Sequence, residues 1–326
     1  MNSFLKRACC TILALWILDA RSAAADAEWP MKPITLVVPG GTGGVVDIRA
    51  RWLAQHLSPV LGQPVIIDNR PGAGGVTGTA SVAKSAPDGY TLVMVHQGTL
   101  AVTPHLVANV GYSPLKDFVP ITRVGHGGLV LVVRPSLPVH NVAEFIDYLK
   151  EKSGAANYGS PGVGTPPHVA VEFFKLQTGT KAQHIPYKGG GQAASDLMGG
   201  HVDFSIEGLT VMVPLIKDGR VRALAVTSDR RIALLPDVPT MREAGVRNYS
   251  YEGWIGIAAP AGTPPPIIAR VYEAVRQVML GSEGREFFAA SGTEVEAEAP
   301  EVFAAIVRAE YEKWGRVVRS AGIELE

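Results

Sequence analysis

The chain has 326 residues, with 30 Lys+Arg against 30 Asp+Glu, 47% hydrophobic residues and 18% charged ones. That apolar share excludes wholesale disorder, and the charge balance argues against a dedicated nucleic-acid binder, which carries a basic excess on at least one face. At this length about two domains are expected, because single cores stop growing near ~250–300 residues.

The chain opens on an address. Lys6 and Arg7 precede an uncharged, mostly apolar run over residues 8–18, and Ala23, Ala24, Ala25 and Ala27 supply small residues for cleavage. This order predicts a secretory signal peptide over residues 1–27, cleaved after Ala25 or Ala27. The run is too short to span a bilayer, which needs ~20 apolar residues. Cleavage removes Cys9 and Cys10, the two cysteines of the chain, so disulfide, thiolate-metal and thiol chemistry are excluded from the exported form. Cleavage after Ala25 leaves 27 basic and 29 acidic residues, a formal charge of −2.

Beyond the address, the apolar run 34–38 reads as a buried strand that ends at Pro39. A glycine-rich turn over residues 39–44 leads into a helix over 47–61, with Ile48, Trp52, Leu53, Leu57 and Leu61 at helical spacing and Gly62 as the stop. A strand at 65–67, a loop over 69–75, a helix over 76–84 and a strand at 91–95 follow. Strands are expected at 118–124 and, separately, at 129–133. Asn141 with Glu144 marks a helix start, and that helix runs to 152. A second alternating block then repeats the plan: strand 157–159, loop 160–165, helix 166–177, strand 184–187, Gly189–Gly191 opening a helix over 192–198, and further elements at 202–206, 210–217 and 221–227. A strand over 251–258 leaves this block, and helices over 264–279, 283–290 and 300–321 close the chain. Strand, glycine-rich loop and helix in alternation predict an α/β fold with largely parallel sheets, in two similar blocks crossed by hinge strands near 124–132 and 251–258.

A glycine-rich loop that enters a helix presents free N–H groups backed by the helix dipole, which suits an anion. Five such loops occur, at 40–47, 72–75, 98–99, 160–165 and 189–192. Each alone is equally an ordinary turn; together they suggest a cleft at the carboxyl ends of the strands. Nucleotide motifs are not met: no Lys follows Gly40–Gly44, and the glycine spacing is not G-x-G-x-x-G. Ser160 lacks the first glycine of a nucleophile elbow, and the eight histidines form no H-x-x-x-H pair, so neither a hydrolase nor a metal site is indicated. No cofactor is expected. Arg49, Arg70 and Lys188 are the basic residues near the loops. Arg70 either braces its loop or meets a ligand, and Trp254 either lines the cleft or packs the hinge. Trp52 and Trp314 fit apolar helix faces and read as core.

Several segments resemble the Bug/TctC family, the extracytoplasmic solute receptors of tripartite tricarboxylate transporters. They include Trp29-Pro-Met-Lys-Pro-Ile34, Asp68-Asn-Arg-Pro-Gly-Ala-Gly-Gly75, Ala86-Pro-Asp-Gly-Tyr-Thr-Leu92 and His184-Ile-Pro-Tyr-Lys-Gly189. Leu197-Met-Gly-Gly-His-Val-Asp203, Leu235-Pro-Asp-Val-Pro-Thr240 and Ala259-Pro-Ala-Gly-Thr-Pro264 continue the match in family order. The resemblance implies a two-lobed periplasmic-binding-protein fold of Venus-flytrap type II, each lobe a mostly parallel sheet flanked by helices. Residues 28–127 with 255–326 would form lobe 1, and residues 128–254 lobe 2. It implies a periplasmic monomer without enzymatic activity. Such a receptor holds a small carboxylate through backbone N–H groups and delivers it to two membrane subunits of the transporter. A ligand-sensing accessory of a signalling system, or an exported hydrolase, are the alternatives. Carried over by position, the first lobe's site comprises Gly40, Gly41, Thr42, Gly43, Gly44, Asp47, Gly72, Gly74, Gln97, Gly98 and Thr99. The second lobe's comprises Ser160, Gly162, Gly164, Thr165, Gly190 and Glu207, with Trp254 at the crossing. Two departures from the family pattern alter the pocket floor. Gly40-Gly-Thr42 and Val45-Val46 replace an aromatic, prolines and a small hydroxyl residue before Asp47, and Glu207-Gly208 stands where Asp-Asn is usual. Glu207 is expected to face the cleft and accept from a ligand hydroxyl or ammonium.

Overall fold

The computed structural model of the chain describes residues 29–293 and 295–321. The signal peptide predicted over 1–27 lies outside them. Three parallel strands, β1 (Ile34–Val38), β2 (Val65–Asn69) and β3 (Thr91–His96), build one lobe in the order β2-β1-β3. Every β1 side chain except Thr35 is buried, as its apolar β-branched run predicts. Between β1 and β2 lies helix α1 (Val45–Leu61), which turns Leu53, Leu57 and Leu61 inward and ends at Gly62, a left-handed residue at φ +74°. Helix α2 (Val76–Ala83) joins β2 to β3, and after β3 a short π-turn runs into the single turn α3 (Thr103–Leu106).

The separate strands expected at 118–124 and 129–133 are one strand, β4 (Phe118–Val133). Its glycines read as a break in the sequence. In the fold, Gly125 and Gly127 adopt φ +145° and +158°, and the register slips between Arg123 and Gly125. The glycines thus let one strand bulge and pass from lobe to lobe instead of stopping.

The second lobe contains α4 (Val142–Lys152), β5 (Asn157–Ser160), α5 (Pro166–Thr178), β6 (Gln183–Pro186), α6 (Gly190–Met198), β7 (Phe204–Gly208), α7 (Leu209–Lys217) and β8 (Arg222–Val226). The N-cap expected for α4 forms: Asn141 accepts from the Glu144 N–H at 2.9 Å, and Glu144 accepts from the His140 N–H at 2.7 Å. Strand β9 (Glu252–Pro260) recrosses, and α8 (Pro265–Leu280), α9 (Ser282–Ala290) and α10 (Pro300–Ala321) finish the chain. The sheet order is β2-β1-β3-β9-β4-β7-β5-β6, with β8 also on β4. The three outer strands of each lobe run parallel. The two crossing strands run antiparallel to each other and to both neighbours. Separate apolar clusters lie under α1 and α8 and under α6 and α7, and a third continues from lobe to lobe along the crossing strands. No helix among the described residues is long and apolar enough to cross a membrane.

Candidate functional site

The carboxyl ends of both parallel triplets face one cavity of about 110 Å³ between the lobes. Four helices begin on its wall. Their N-caps are Gly44 for α1, Thr165 for α5, Gly189 for α6 and Gly208 for α7, and none receives a side-chain cap. The first N–H groups of α1, α6 and α7 are therefore free for a guest, whereas α5 opens on Pro166-Pro167, which carry none; each helix adds about half a positive charge at that end. Much of the wall is apolar, including Val45, Leu129, Pro161, Leu209 and Ile255.

Three buried side chains on this wall keep a polar atom without a partner: Arg49 Nε, Glu207 Oε2 and Trp254 Nε1. They are 7%, 2% and 4% exposed. Arg49 donates to the Thr293 hydroxyl through Nη2, and burial lowers its guanidinium pKa to about 10, so it stays charged at neutral pH. Glu207 Oε1 accepts from the Gly208 N–H at 2.8 Å; burial pushes the carboxyl up to about 7 against that bond. Trp254 also stacks edge-on against Phe303, so it both lines the cleft and packs the crossing strands. His96 lines the wall as a neutral imidazole, its pKa lowered to about 4 by burial.

Of the residues carried over from the family pattern, Gly40, Gly41, Gly44, Asp47, Thr165, Gly190, Glu207 and Trp254 lie on the cavity wall. Both carboxylate oxygens of Asp47 already accept hydrogen bonds from its own lobe. Its carboxylate accepts from Gly43 N, Arg51 Nε and Asn69 Nδ2 at 2.9–3.0 Å. Burial raises its pKa, but these bonds outweigh burial and hold it below the usual carboxylate value. Asp47 thus shapes the 40–44 loop. Gly43, by donating to Asp47, belongs to the same brace, and Thr42 stands exposed beside it.

Gly41 also joins the lobes, and Gly74, Gly98, Gly162 and Gly164 serve contact between lobes instead of the wall. Gly41 N donates to Lys188 O at 2.8 Å, and Thr103 Oγ1 to Gly164 O at 3.4 Å. A Cβ on Gly74 would fall inside the Val163 carbonyl, and one on Gly98 inside that of Gly164. Gly162 lies against Gly74, and Gly72 turns its loop at φ +138° beside Thr77. Gln97 bonds Tyr251, Glu252 and Glu310, and Thr99 holds His96. Arg70 bonds Asp68 and Ser81 and so braces its own loop. The lobes are closed on one another through these backbones.

Ser160 Oγ lies 2.6 Å from His184 Nε2, a pair the sequence motif did not signal. The pair is set behind the 161–165 loop, with Ser160 fully buried and outside the cavity wall. The same hydroxyl accepts from Gly162 N at 3.1 Å, and His184 stacks between Tyr158 and His168. Burial lowers the His184 pKa to about 3. This arrangement fixes the loop that begins α5.

Arg49 and the Ser291–Thr293 turn on the wall were not among the expected site residues. Arg49 had a signal: it falls in register with Leu53 and Leu57 on the buried stripe of α1, where a lone cation needs a reason. Ser291–Thr293 follow α9, over 240 residues from Arg49 in sequence, and no local pattern links them.

The sequence profile of the tripartite tricarboxylate transporter family receptor, TctC, matches residues 49–323. The chain belongs to this family. It is 37% identical to the protein BugT of Bordetella pertussis over 319 residues, covering 97% of this chain and 98% of that protein. Its fold matches the periplasmic binding protein BugD with a TM-score of 0.88 at 34% identity, covering 91% of this chain and all of BugD. It also matches the R. palustris protein Rpa4515 solved with adipate, with a TM-score of 0.88 at 35% identity and coverage of 91% and 99%. This receptor shares their two-lobed fold, and its cavity lies at the lobe junction. The family and these neighbours are solute-binding receptors.

Proposed function

We propose that the chain captures a small carboxylate-bearing solute in the cavity between the lobes, in the periplasm, and delivers it to the two membrane subunits of a tripartite transporter. The observation that carries this reading is the convergence on one cavity of three uncapped helix N-termini with N–H donors, those of α1, α6 and α7, beside the dipole end of α5. An adipate-bound relative supports the carboxylate class. The lobes divide at β4 and β9, so that residues 28–127 with 255–326 move against 128–254, as a monomer and without turnover of the solute. A few charge-assisted hydrogen bonds of about 1.5–3 kcal/mol each suffice for a micromolar complex, near −8 kcal/mol, after ordering costs.

A thermal-shift screen of carboxylates, with uncharged analogues of the same size, tests this reading. A ligand at 100 times its Kd stabilises the folded chain by about 2.7 kcal/mol, a clear rise in Tm. Stabilisation by carboxylates alone is expected. Equal stabilisation by the uncharged analogues would sink the reading.

A further inference from the structure

The unpartnered groups on the cavity wall are of two kinds, and they come from different elements of the fold. Arg49 Nε and Trp254 Nε1 are donors, carried by α1 and β9. Glu207 Oε2 is an oxygen at the end of β7, with its sister oxygen already bonded to Gly208 N. All three are more than nine-tenths buried, so water does not satisfy them from outside when the lobes are closed. A buried polar atom left without a partner is costly, and the group that enters must therefore match each kind. The donors call for an acceptor, which a carboxylate supplies. An ionised Glu207 has only acceptor atoms, so it calls for a donor.

We infer that the solute is bipolar: a carboxylate that accepts from Arg49 and Trp254, and a donor group, amide, ammonium or hydroxyl, that meets Glu207. This rests on the carboxylate reading above and narrows it. A plain dicarboxylate carries acceptors at both ends. Above pH 7, where Glu207 is ionised, it would set its second carboxylate against Glu207, two like charges in a buried site. The same wall carries Val45, Leu129 and Ile255, apolar side chains that suit a short methylene spacer. The cavity is smaller than the ~150 Å³ that accommodates benzene, so the spacer is short.

Matched pairs test this: malonate against malonamate, succinate against succinamate, and glutarate against glutaramate. Each pair has one shape and differs only in carboxylate against amide at one end. β-Alanine and 4-aminobutanoate carry the ammonium. Titration calorimetry at pH 8 keeps Glu207 ionised, above the value of about 7 to which burial pushes it. For the pair of best-fitting length, the monoamide or the ammonium form is expected to bind at least tenfold tighter than the dicarboxylate. In Glu207→Gln the side-chain amide can donate to a second carboxylate, and the preference should shrink to threefold or less. If Glu207→Gln does not fold, the wild-type pairs alone decide. A dicarboxylate that binds wild type as tightly as its monoamide overturns the inference while leaving the carboxylate reading intact. If no carboxylate of any of these kinds binds, both fall.

Discussion

Gly74→Ala separates lobe closure from loop strain. Gly74 sits at φ +63° beside Val163 of the opposite lobe, and a Cβ there would overlap the Val163 carbonyl. The left-handed backbone costs alanine about 1–2 kcal/mol, and that cost falls on the open and closed forms alike. The clash exists only when the lobes close. Relieving it pulls apart the 72–75 and 161–165 loops, and with them the Gly41–Lys188 and Thr103–Gly164 hydrogen bonds. At about 0.5–1.5 kcal/mol each, their loss removes about 1–3 kcal/mol from the closed form, or a factor of about 5–150 in Kd. Gly62→Ala is the control. Its φ of +74° imposes the same strain, and a Cβ there meets nothing within 4 Å. Both variants should lose similar stability in urea, while calorimetry with the best carboxylate from the screen shows weaker binding only for Gly74→Ala. Affinities of the two variants within twofold of each other would refute the closure argument.

Further outcomes follow from the buried groups. His96 and His168 are held neutral by burial, each lowered to about 4. Between an unfolded value near 6.5 and 4 the unfolded chain binds more protons, so stability falls with falling pH by up to about 1.4 kcal/mol per unit for each histidine. Glu207, raised to about 7, acts in the opposite sense: its contribution is full below its unfolded value of 4.5 and is lost as pH rises through 7. Urea midpoints from pH 7 to 4.5 should therefore fall, and fall more steeply in Glu207→Gln; parallel pH profiles would contradict this. Asp47→Ala removes the acceptor of three hydrogen bonds and should lower stability by about 2–3 kcal/mol in urea unfolding; a loss under 0.5 kcal/mol would show that the 40–44 loop does not depend on it. Ser160→Ala should cost about 1 kcal/mol and leave carboxylate affinity unchanged, with no ester turnover before or after. Ester hydrolysis that disappears in this variant would establish a hydrolase instead.

Much of the fold was legible in local pattern, because strand and helix periodicity and caps act over a few residues. The 34–38 strand, the α1 stripe and the Asn141 cap all form where the sequence puts them. The glycine-rich segment 125–128 was misread as a gap between strands, because glycine marks a bulge and a loop alike, and only pairing with β9 distinguishes them. In the candidate site the glycine loops were legible as helix starts. Their division into wall and lobe contact was not: Gly41 and Gly190 reach the cavity, while Gly74 and Gly98 meet Val163 and Gly164.

The sequence by itself determined the family, the alternation of strand and helix, and the glycine-rich helix starts on which the proposed anion binding rests. Glycine and helix-start patterns carry that information within one turn of chain. Only the tertiary structure decided that both oxygens of Asp47 are bonded, that Ser160 is a loop brace, and that Arg49, Glu207 and Trp254 share one cavity with unpartnered atoms. The first two depend on partners 2 to 24 residues away that fold together within one lobe; the third brings Arg49 to groups more than a hundred residues away and denies all three water, and that is set where the two lobes meet.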